Sequence, residues 1–388
     1  MTPLPPTTEP GRRRSLVAAI SCIAVFGAGM GFSMPLLALV LETRGIDSTV
    51  IGLNAAMTFL GVILAAPAVP WAAQVLGAKP LMLGCLGAGL VCFALMMLSD
   101  NLSLWFLLRF GTGVAGAGLF TASEAWIGSL AVDRDRGRIM AIYATVLSAT
   151  LGVGPLLLPV TGIAGWPPII ANALLALLAG LPLLATPIRL GRAEQTAPLG
   201  LVALAAALPV VLAAVAVFGL FEGATLALLP VWGVRSGFSP DLAAATLSAI
   251  YFGGIALQLP LGWASDRIPR LAVLRICGVV AFLGGALIPF LGGSMTATFL
   301  ALFFWGGFTG ALYPVALSIA GDRFRGPQLV AANAAVVMCY GFGSLVGPVF
   351  GGAAMTLAGP RGLMWLVALA VLIFLPATFL RGRRSAAG

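Results

Sequence analysis

FGAGMG at residues 26–31 returns as FGLFEG at residues 218–223, an offset of 192 positions. The same offset lays Gly45 on Gly237, Gly61 on Gly253, Gln74 on Asp266 and Cys85 on Cys277 without a gap. With small adjustments Gly116 falls on Gly310, Arg136 and Gly137 on Arg325 and Gly326, and Gly154 and Pro155 on Gly347 and Pro348. Self-similarity at one offset marks a duplicated unit. The two copies read in the same direction, so they are parallel repeats, each about half the chain.

What each copy contains follows from composition. Hydrophobic residues make up 60% of the chain and charged residues 9%, against roughly 25% charged in a soluble domain. Charged or Pro/Gly-rich breaks divide it into twelve apolar runs, near 15–41, 49–76, 80–99, 102–130, 138–163, 168–187, 203–233, 240–264, 271–292, 295–319, 328–357 and 362–380. Each is long enough to cross roughly 30 Å of hydrocarbon as a helix. The sequence therefore predicts an all-α polytopic membrane protein with twelve transmembrane helices in two pseudo-symmetric six-helix bundles. Its expected divisions are an N-terminal tail (1–14), a first bundle (15–187), a linker (188–202), a second bundle (203–380) and a C-terminal tail (381–388).

The formal charge of +9 does not indicate nucleic acid, because the basic residues sit at the ends of apolar runs, where topology explains them. Arg12, Arg13 and Arg14 precede a run too long for a signal peptide, with no small-residue cleavage site after it. The chain has no histidine, which removes His proton relays, His metal ligands and Ser/His triads. Cys22, Cys85, Cys92, Cys277 and Cys339 match no metal spacing and lie in apolar runs. No metal and no cofactor is expected. Absence of H-E-x-x-H, G-x-S-x-G and P-loop patterns argues against an enzyme and leaves an ion gradient, the proton gradient first, as the energy source.

Turns after odd-numbered runs hold only Arg44, Arg235 and Arg361, while the other side holds the remaining terminal and loop arginines and Lys79. By the positive-inside rule the basic side, with both termini, is cytoplasmic. The expected location is a bacterial inner membrane.

Several motifs carry chemistry. After the eighth run stand Gly262, Asp266, Arg267, Pro269 and Arg270. Asp266 suits a helix N-terminus, and Gly262 suits close helix approach. The repeat-equivalent loop has Gln74 and Lys79, so its acid has become a neutral amide and the halves should latch unequally. Arg109 lies about two turns inside the fourth run, where a charge is costly unless it faces water or a carboxylate; the alternative is snorkelling to the interface. Glu222 and Glu124 are carboxyls well inside apolar runs. Glu222, mid-run, is the first candidate for proton coupling or for binding a cationic solute group, with a protonated packing residue as the alternative. Glu124 is placed to pair with Lys79 or Arg138 as a gate, or to act as a proton site. Helix-kink candidates are Gly154 and Pro155, and Gly343, Gly347 and Pro348. Cavity-lining candidates are Ser33, Asn54, Thr58, Tyr143, Asn172, Thr225, Thr246, Tyr251, Gln258, Trp305, Tyr313, Asn333 and Tyr340.

The Gly262–Arg270 loop resembles the cytoplasmic G-x-x-x-D-R-x-G-R loop of the major facilitator superfamily (MFS), with Pro269 replacing its second glycine. Arg109 with Gly113 is similar to that superfamily's fourth-helix R-x-x-x-G motif. Gly343 to Gly352 matches the G-x-x-x-G-P-x-x-G-G pattern that marks antiporters when it stands in the fifth helix; here it stands in the eleventh run. Ser123 to Trp126, Arg136, Tyr143 and Gly310 to Pro314 look like the YcaD-like branch. The resemblance implies the MFS fold, alternating access around a site between the halves, and a latch at Asp266 closing against the start of the fifth helix.

The resulting expectation is proton-coupled efflux of a small amphipathic or weakly charged solute. Alternatives are a symporter importing a sugar or organic acid, or, in a different class, a non-transporting membrane sensor. Expected partners are the lipid bilayer, the solute and protons, with no nucleic acid, for a monomer. Single cysteines introduced as Arg12→Cys, Arg44→Cys and Arg325→Cys on a cysteine-free background check the threading: an impermeant thiol reagent should reach positions 12 and 325 from one face and position 44 from the other.

Overall fold

The structure, a computed structural model, describes residues 9–130, 135–186, 208–291 and 294–380. These residues form no strand and include twelve helices long and apolar enough to span a bilayer: α1 Gly11–Thr43, α2 Ser48–Leu76, α3 Ala78–Leu98, α4 Leu102–Leu130, α5 Arg138–Thr161, α6 Pro167–Ala185, α7 Pro209–Arg235, α8 Pro240–Ser265, α9 Arg270–Phe290, α10 Met295–Arg323, α11 Ala331–Ala358 and α12 Arg361–Phe379. Helices are the required solution for such runs, since hydrocarbon offers no partner for an unpaired N–H or C=O. Large apolar side chains left exposed, such as Trp71, Leu259 and Leu357, suit lipid rather than water.

The observed spans follow the predicted runs to within a few residues, with two differences at the basic end. The first helix begins at Glu9, so Arg12–Arg14 ride on its opening turns instead of belonging to a tail. The tenth extends to Arg323. The expected linker (188–202) and C-terminal tail (381–388) lie outside the described residues. Proline marks the irregularities. Pro67 lies in a 3-10 turn at Ala66–Ala68 within α2, with Pro70 just after it, and Pro155 lies in a second at Gly154–Leu157 within α5, each removing a backbone donor.

The described residues fall into two compact units. One is Met1–Ser33, Leu60–Gly154 and Ala164–Ala193; the other is Met34–Phe59, Pro155–Ile163 and Glu194–Gly388. The segment Met34–Phe59 belongs to the first repeat by sequence and packs in the second unit.

In the first unit, Ala18, Ala19, Cys22 and Ile23 of α1 pack with Met82 of α3, Trp126 and Ile127 of α4, and Leu183 of α6. Helices α1 and α5 cross through small residues. A Cβ on Gly27 would collide with the Thr150 hydroxyl, and one on Gly154 would lie 2.7 Å from the Phe32 backbone nitrogen. In the second unit the equivalent crossing joins α7 to α11. A Cβ on Gly223 would lie 2.8 Å from Ser344 Cα, one on Gly343 2.9 Å from the Leu220 nitrogen and one on Gly347 3.0 Å from the Ala224 nitrogen. Gly27 and Gly31 are the repeat equivalents of Gly219 and Gly223. The shared motif thus encodes one backbone-on-backbone contact built twice, the means by which membrane helices gain packing without a hydrophobic driving force. The repeat also preserves the turns that follow these helices: Gly45 and Gly237 both adopt positive φ, at 72° and 95°, where a Cβ is strained.

Gly223→Leu and Gly347→Leu should each lower the thermal stability of the purified protein, by about 1–3 kcal/mol or more if the overpacking cannot relax. Gly84→Ala, where a Cβ meets nothing within 4 Å, should leave it unchanged. Melting temperatures in one detergent make the comparison.

Candidate functional site

The α7–α11 crossing fixes the position of Glu222. It stands one residue before Gly223, and the adjacent turn of α11 brings the Tyr340 hydroxyl into donation to the Glu222 carboxylate at 2.5 Å. Tyr251 of α8 lies within interaction range of the same carboxyl but closes no hydrogen bond of good geometry. Phe218, one turn earlier on α7, has its ring centroid 5.6 Å from Tyr313 and 5.9 Å from Tyr340, and Tyr313 and Tyr340 are 5.8 Å apart. Three of the chain's four tyrosines therefore gather at Glu222. Glu222, Phe218, Tyr313 and Tyr340 are all half-buried, so they border accessible space. A carboxyl rimmed by aromatic faces can hold a proton, or a cation over the ring quadrupoles.

Not every expected lining residue shares that space. Thr225, Thr246 and Trp305 are buried, and each spends its polar group on a helix carbonyl: Thr225 on Phe221 at 2.7 Å, Thr246 on Ala243 at 2.5 Å and Trp305 on Ala281 at 2.8 Å. They are packing residues in this structure. Asn54 and Thr58 are also buried, whereas Ser33 and Asn172 are half-buried and Gln258 and Asn333 exposed.

In the first unit, Arg109 is only 2% exposed. Snorkelling would require an exposed guanidinium, so the side chain is held inside the protein. Glu124 is exposed, with Tyr143 within interaction range but not in a well-formed hydrogen bond. No ion pair joins Glu124 to Lys79 or Arg138 among the described residues. Lys79 instead donates to the Leu184 carbonyl at the end of α6, at 2.5 Å, where the helix dipole favours a cation.

The loop after α8 also departs from expectation. A Cβ on Gly262 would meet nothing within 4 Å, so close helix approach does not explain this glycine. Asp266 is exposed, and its side chain makes no ion pair or hydrogen bond among the described residues. Arg267 stacks on Trp263, 3.6 Å above its ring centroid. Arg270 supplies the bracing contact, reaching Asp322 at 2.5 Å and the Ser318 carbonyl at 2.7 Å near the end of α10. Gln74 is exposed.

Sequence reasoning missed a cluster on the arginine-poor side. Arg235, closing α7, forms a bidentate pair with Glu42 at 2.7 and 2.8 Å. Thr356 of α11 donates to Asp47 at 2.9 Å. Below them, a Cβ on Gly52 would lie 2.9 Å from the Pro348 carbonyl carbon, and one on Gly352 3.0 Å from Thr49 Cα. The available signal was two acids, Glu42 and Asp47, in a turn on a side with three arginines. Desolvation is the largest single influence on the Asp47 carboxyl and works upward. The Thr49 N–H, the Thr356 hydroxyl, the Thr49 hydroxyl and the charge of Arg235 are each smaller, but together they outweigh it and hold the carboxyl below its ordinary value.

The family profile described as Major Facilitator Superfamily matches residues 19–251 and 211–388. An MFS-type transporter of Bacillus subtilis (strain 168), YfkF, is 26% identical over 366 residues, covering 89% of this chain and 90% of its own. The MFS-type transporter YcaD of Escherichia coli O139:H28 (strain E24377A / ETEC) is 30% identical over 271 residues, covering 69% and 67%. Among solved structures, a bacterial homologue of the human lysosomal transporter Spinster, inward-facing and unoccupied, superposes with a TM-score of 0.78 at 15% identity, covering 97% of this chain and 98% of that one. The nucleoside transporter NupG gives 0.75 at 14% identity, covering 95% and 98%.

Asp47 sets a pH signature. Its folded value is depressed, so its contribution to stability is complete above the unfolded value near 4 and is lost as pH falls through the lower folded value. The melting temperature of Asp47→Asn should lie below wild type at pH 7, and the two should converge as pH drops below the carboxylate range.

Proposed function

Because this chain belongs to the Major Facilitator Superfamily, we propose that it is a proton-coupled exporter of small amphipathic or weakly charged solutes in which Glu222 carries the coupling proton. The chain is a multi-pass membrane protein and a transporter by family and by fold. The observation that carries the finer reading is the Glu222–Tyr340 hydrogen bond of 2.5 Å in the middle of a membrane helix, on a half-buried carboxyl rimmed by Phe218 and Tyr313. A carboxylate in that setting accepts the tyrosine hydroxyl when ionised. Protonation or an arriving cationic group competes for the same oxygen atoms. One site that holds either a proton or a solute, and not both, is the minimum an exchanger needs.

Direction is read from topology and from the arginine-poor cluster. Glu42–Arg235 and Asp47–Thr356 tie the first repeat's opening turn to the ends of α7 and α11. In this proposal those ties hold the outer side shut while solute enters from the basic, cytoplasmic side, and their release lets it leave. Arg109 and Glu124 are charged groups of the first unit placed within membrane helices to sense that movement, and Arg270 on Asp322 braces the inner side. The location proposed is the cytoplasmic membrane of a bacterium, with both termini inside.

The test is flux in proteoliposomes loaded with a pH-sensitive dye, using solutes first selected by thermal stabilisation of the purified protein. Solute added against an imposed pH gradient should drive proton movement in the antiport direction. Glu222→Gln should abolish the coupled proton signal while leaving downhill solute exchange. Tyr340→Phe should reduce coupled flux about tenfold, the loss of roughly one charge-assisted hydrogen bond. Full coupling in Glu222→Gln would refute the assignment, and proton movement in the same direction as the solute would make the protein a symporter.

A further inference from the structure

Three consecutive arginines open α1, and the structure uses them differently. Arg12 is bound within the protein, its Nε donating to the Leu130 carbonyl at 2.9 Å and its Nη2 pairing with Asp135 at 2.5 Å. Arg13 and Arg14 are exposed, and their side chains make no hydrogen bond or ion pair among the described residues. Both line a cavity of about 580 Å³ between the opening turns of α1 and the end of α6, completed by Val17, Ala18, Ser21, Pro182 and Thr186. The cavity lies wholly within the first compact unit.

Its lining is of two kinds. Two guanidiniums and the hydroxyls of Ser21 and Thr186 supply donors, while Val17, Ala18 and Pro182 supply an apolar wall. Val17 is 59% exposed and Pro182 half-buried, so part of that wall is open to whatever surrounds the helices. Lys79 adds a third cation close by, through its bond to the Leu184 carbonyl on the same end of α6. A soluble anion would use the guanidiniums and gain nothing from the wall. A cation would be repelled. The molecule that satisfies both parts has a negative headgroup joined to hydrocarbon, and basic pockets between transmembrane helices on the cytoplasmic side hold such headgroups. Arginine's planar fork suits a phosphodiester bidentately.

We propose that the groove between α1 and α6 is a binding site for an anionic phospholipid, with Arg13 and Arg14 on the phosphate and Val17 and Pro182 against an acyl chain. It is separate from the Glu222 site and does not depend on which solute is moved. Occupancy would fasten the start of α1 to the end of α6, two helices whose apolar faces already meet through Cys22, Ile23 and Leu183.

Native mass spectrometry of the full-length protein, released from micelles carrying phosphatidylglycerol or phosphatidylcholine, reads the site directly. Wild type should retain phosphatidylglycerol at least about tenfold more tightly than phosphatidylcholine. Arg13→Gln/Arg14→Gln should lose that preference, Arg13→Lys/Arg14→Lys should keep most of it, and Val17→Trp, which fills the apolar wall without changing charge, should weaken it. Val17→Trp also serves if the arginine variant fails to fold, checked by its melting temperature in phosphatidylcholine. The proposal is overturned if Arg383→Gln/Arg384→Gln, equal in charge, weakens binding as much as the Arg13/Arg14 change. It is also overturned if inorganic phosphate displaces the lipid at matching concentration, or if Val17→Trp and the arginine variant both bind like wild type.

Discussion

Backbone-on-backbone contact between α7 and α11 is the constraint from which the candidate site follows. In hydrocarbon two helices gain nothing by hiding apolar side chains from lipid, so close packing and the few polar bonds it permits must hold them. Gly219, Gly223, Gly343 and Gly347 remove the side chains that would keep the helices apart. Only at that separation does a tyrosine on one helix reach a carboxylate on the other at 2.5 Å. A single added methyl group at Gly223 would displace Ser344 and, with it, the turn that carries Tyr340. The packing motif and the polar site are one arrangement, which explains why Glu222 is embedded in the FGLFEG repeat itself.

The same crossing exists between α1 and α5, yet no carboxyl sits on it. Met30 holds the position equivalent to Glu222, and the first unit's inner acid is Glu124 on α4. Duplicated scaffolds fix where helices approach; they do not fix which approach carries chemistry. The asymmetry extends to the loops: Arg270 braces the end of α10 through Asp322, whereas the first unit uses Arg12 on Asp135 and Lys79 on Leu184. Arg270 on the Ser318 carbonyl, Arg12 on the Leu130 carbonyl and Lys79 on the Leu184 carbonyl each put a cation against the C-terminal end of a helix, where dipole and unpaired carbonyls favour it.

How much of this was legible in the sequence depended on whether the signal was periodic or spatial. The twelve apolar runs follow from local pattern, and the structure agrees with them; the offset of 192 paired Gly45 with Gly237, and the positive φ they share was visible only in the structure. Glu222 was identifiable because a charge in an apolar run is costly wherever it points. The partners were not identifiable. Tyr340 lies 118 residues from Glu222, and Glu42 lies 193 from Arg235, so only the helix packing reveals either pair. Gly262 shows the opposite error: a motif suggested close approach, but the local surroundings are open. Thr225 and Thr246 were counted as cavity residues on polarity alone, although a helical threonine can satisfy its hydroxyl on the preceding turn.

Energetics make the arginine-poor cluster suitable for a contact that must open. The Glu42 and Arg235 side chains retain 15% and 27% of their exposure, so water screens the pair and its net contribution falls in the range of about 0–1 kcal/mol typical of such bridges. The Thr356–Asp47 bond adds a contribution of similar order. Neither is strong enough to lock the protein, and both are geometrically demanding, since a bidentate pair forms in one arrangement only. The apolar seams are different: separating α7 from α11 would open a void that lipid cannot fill without cost. Movement should therefore break the polar ties at the turn while the α1–α5 and α7–α11 seams travel intact, the second carrying Glu222 and Tyr340 together as a fixed pair.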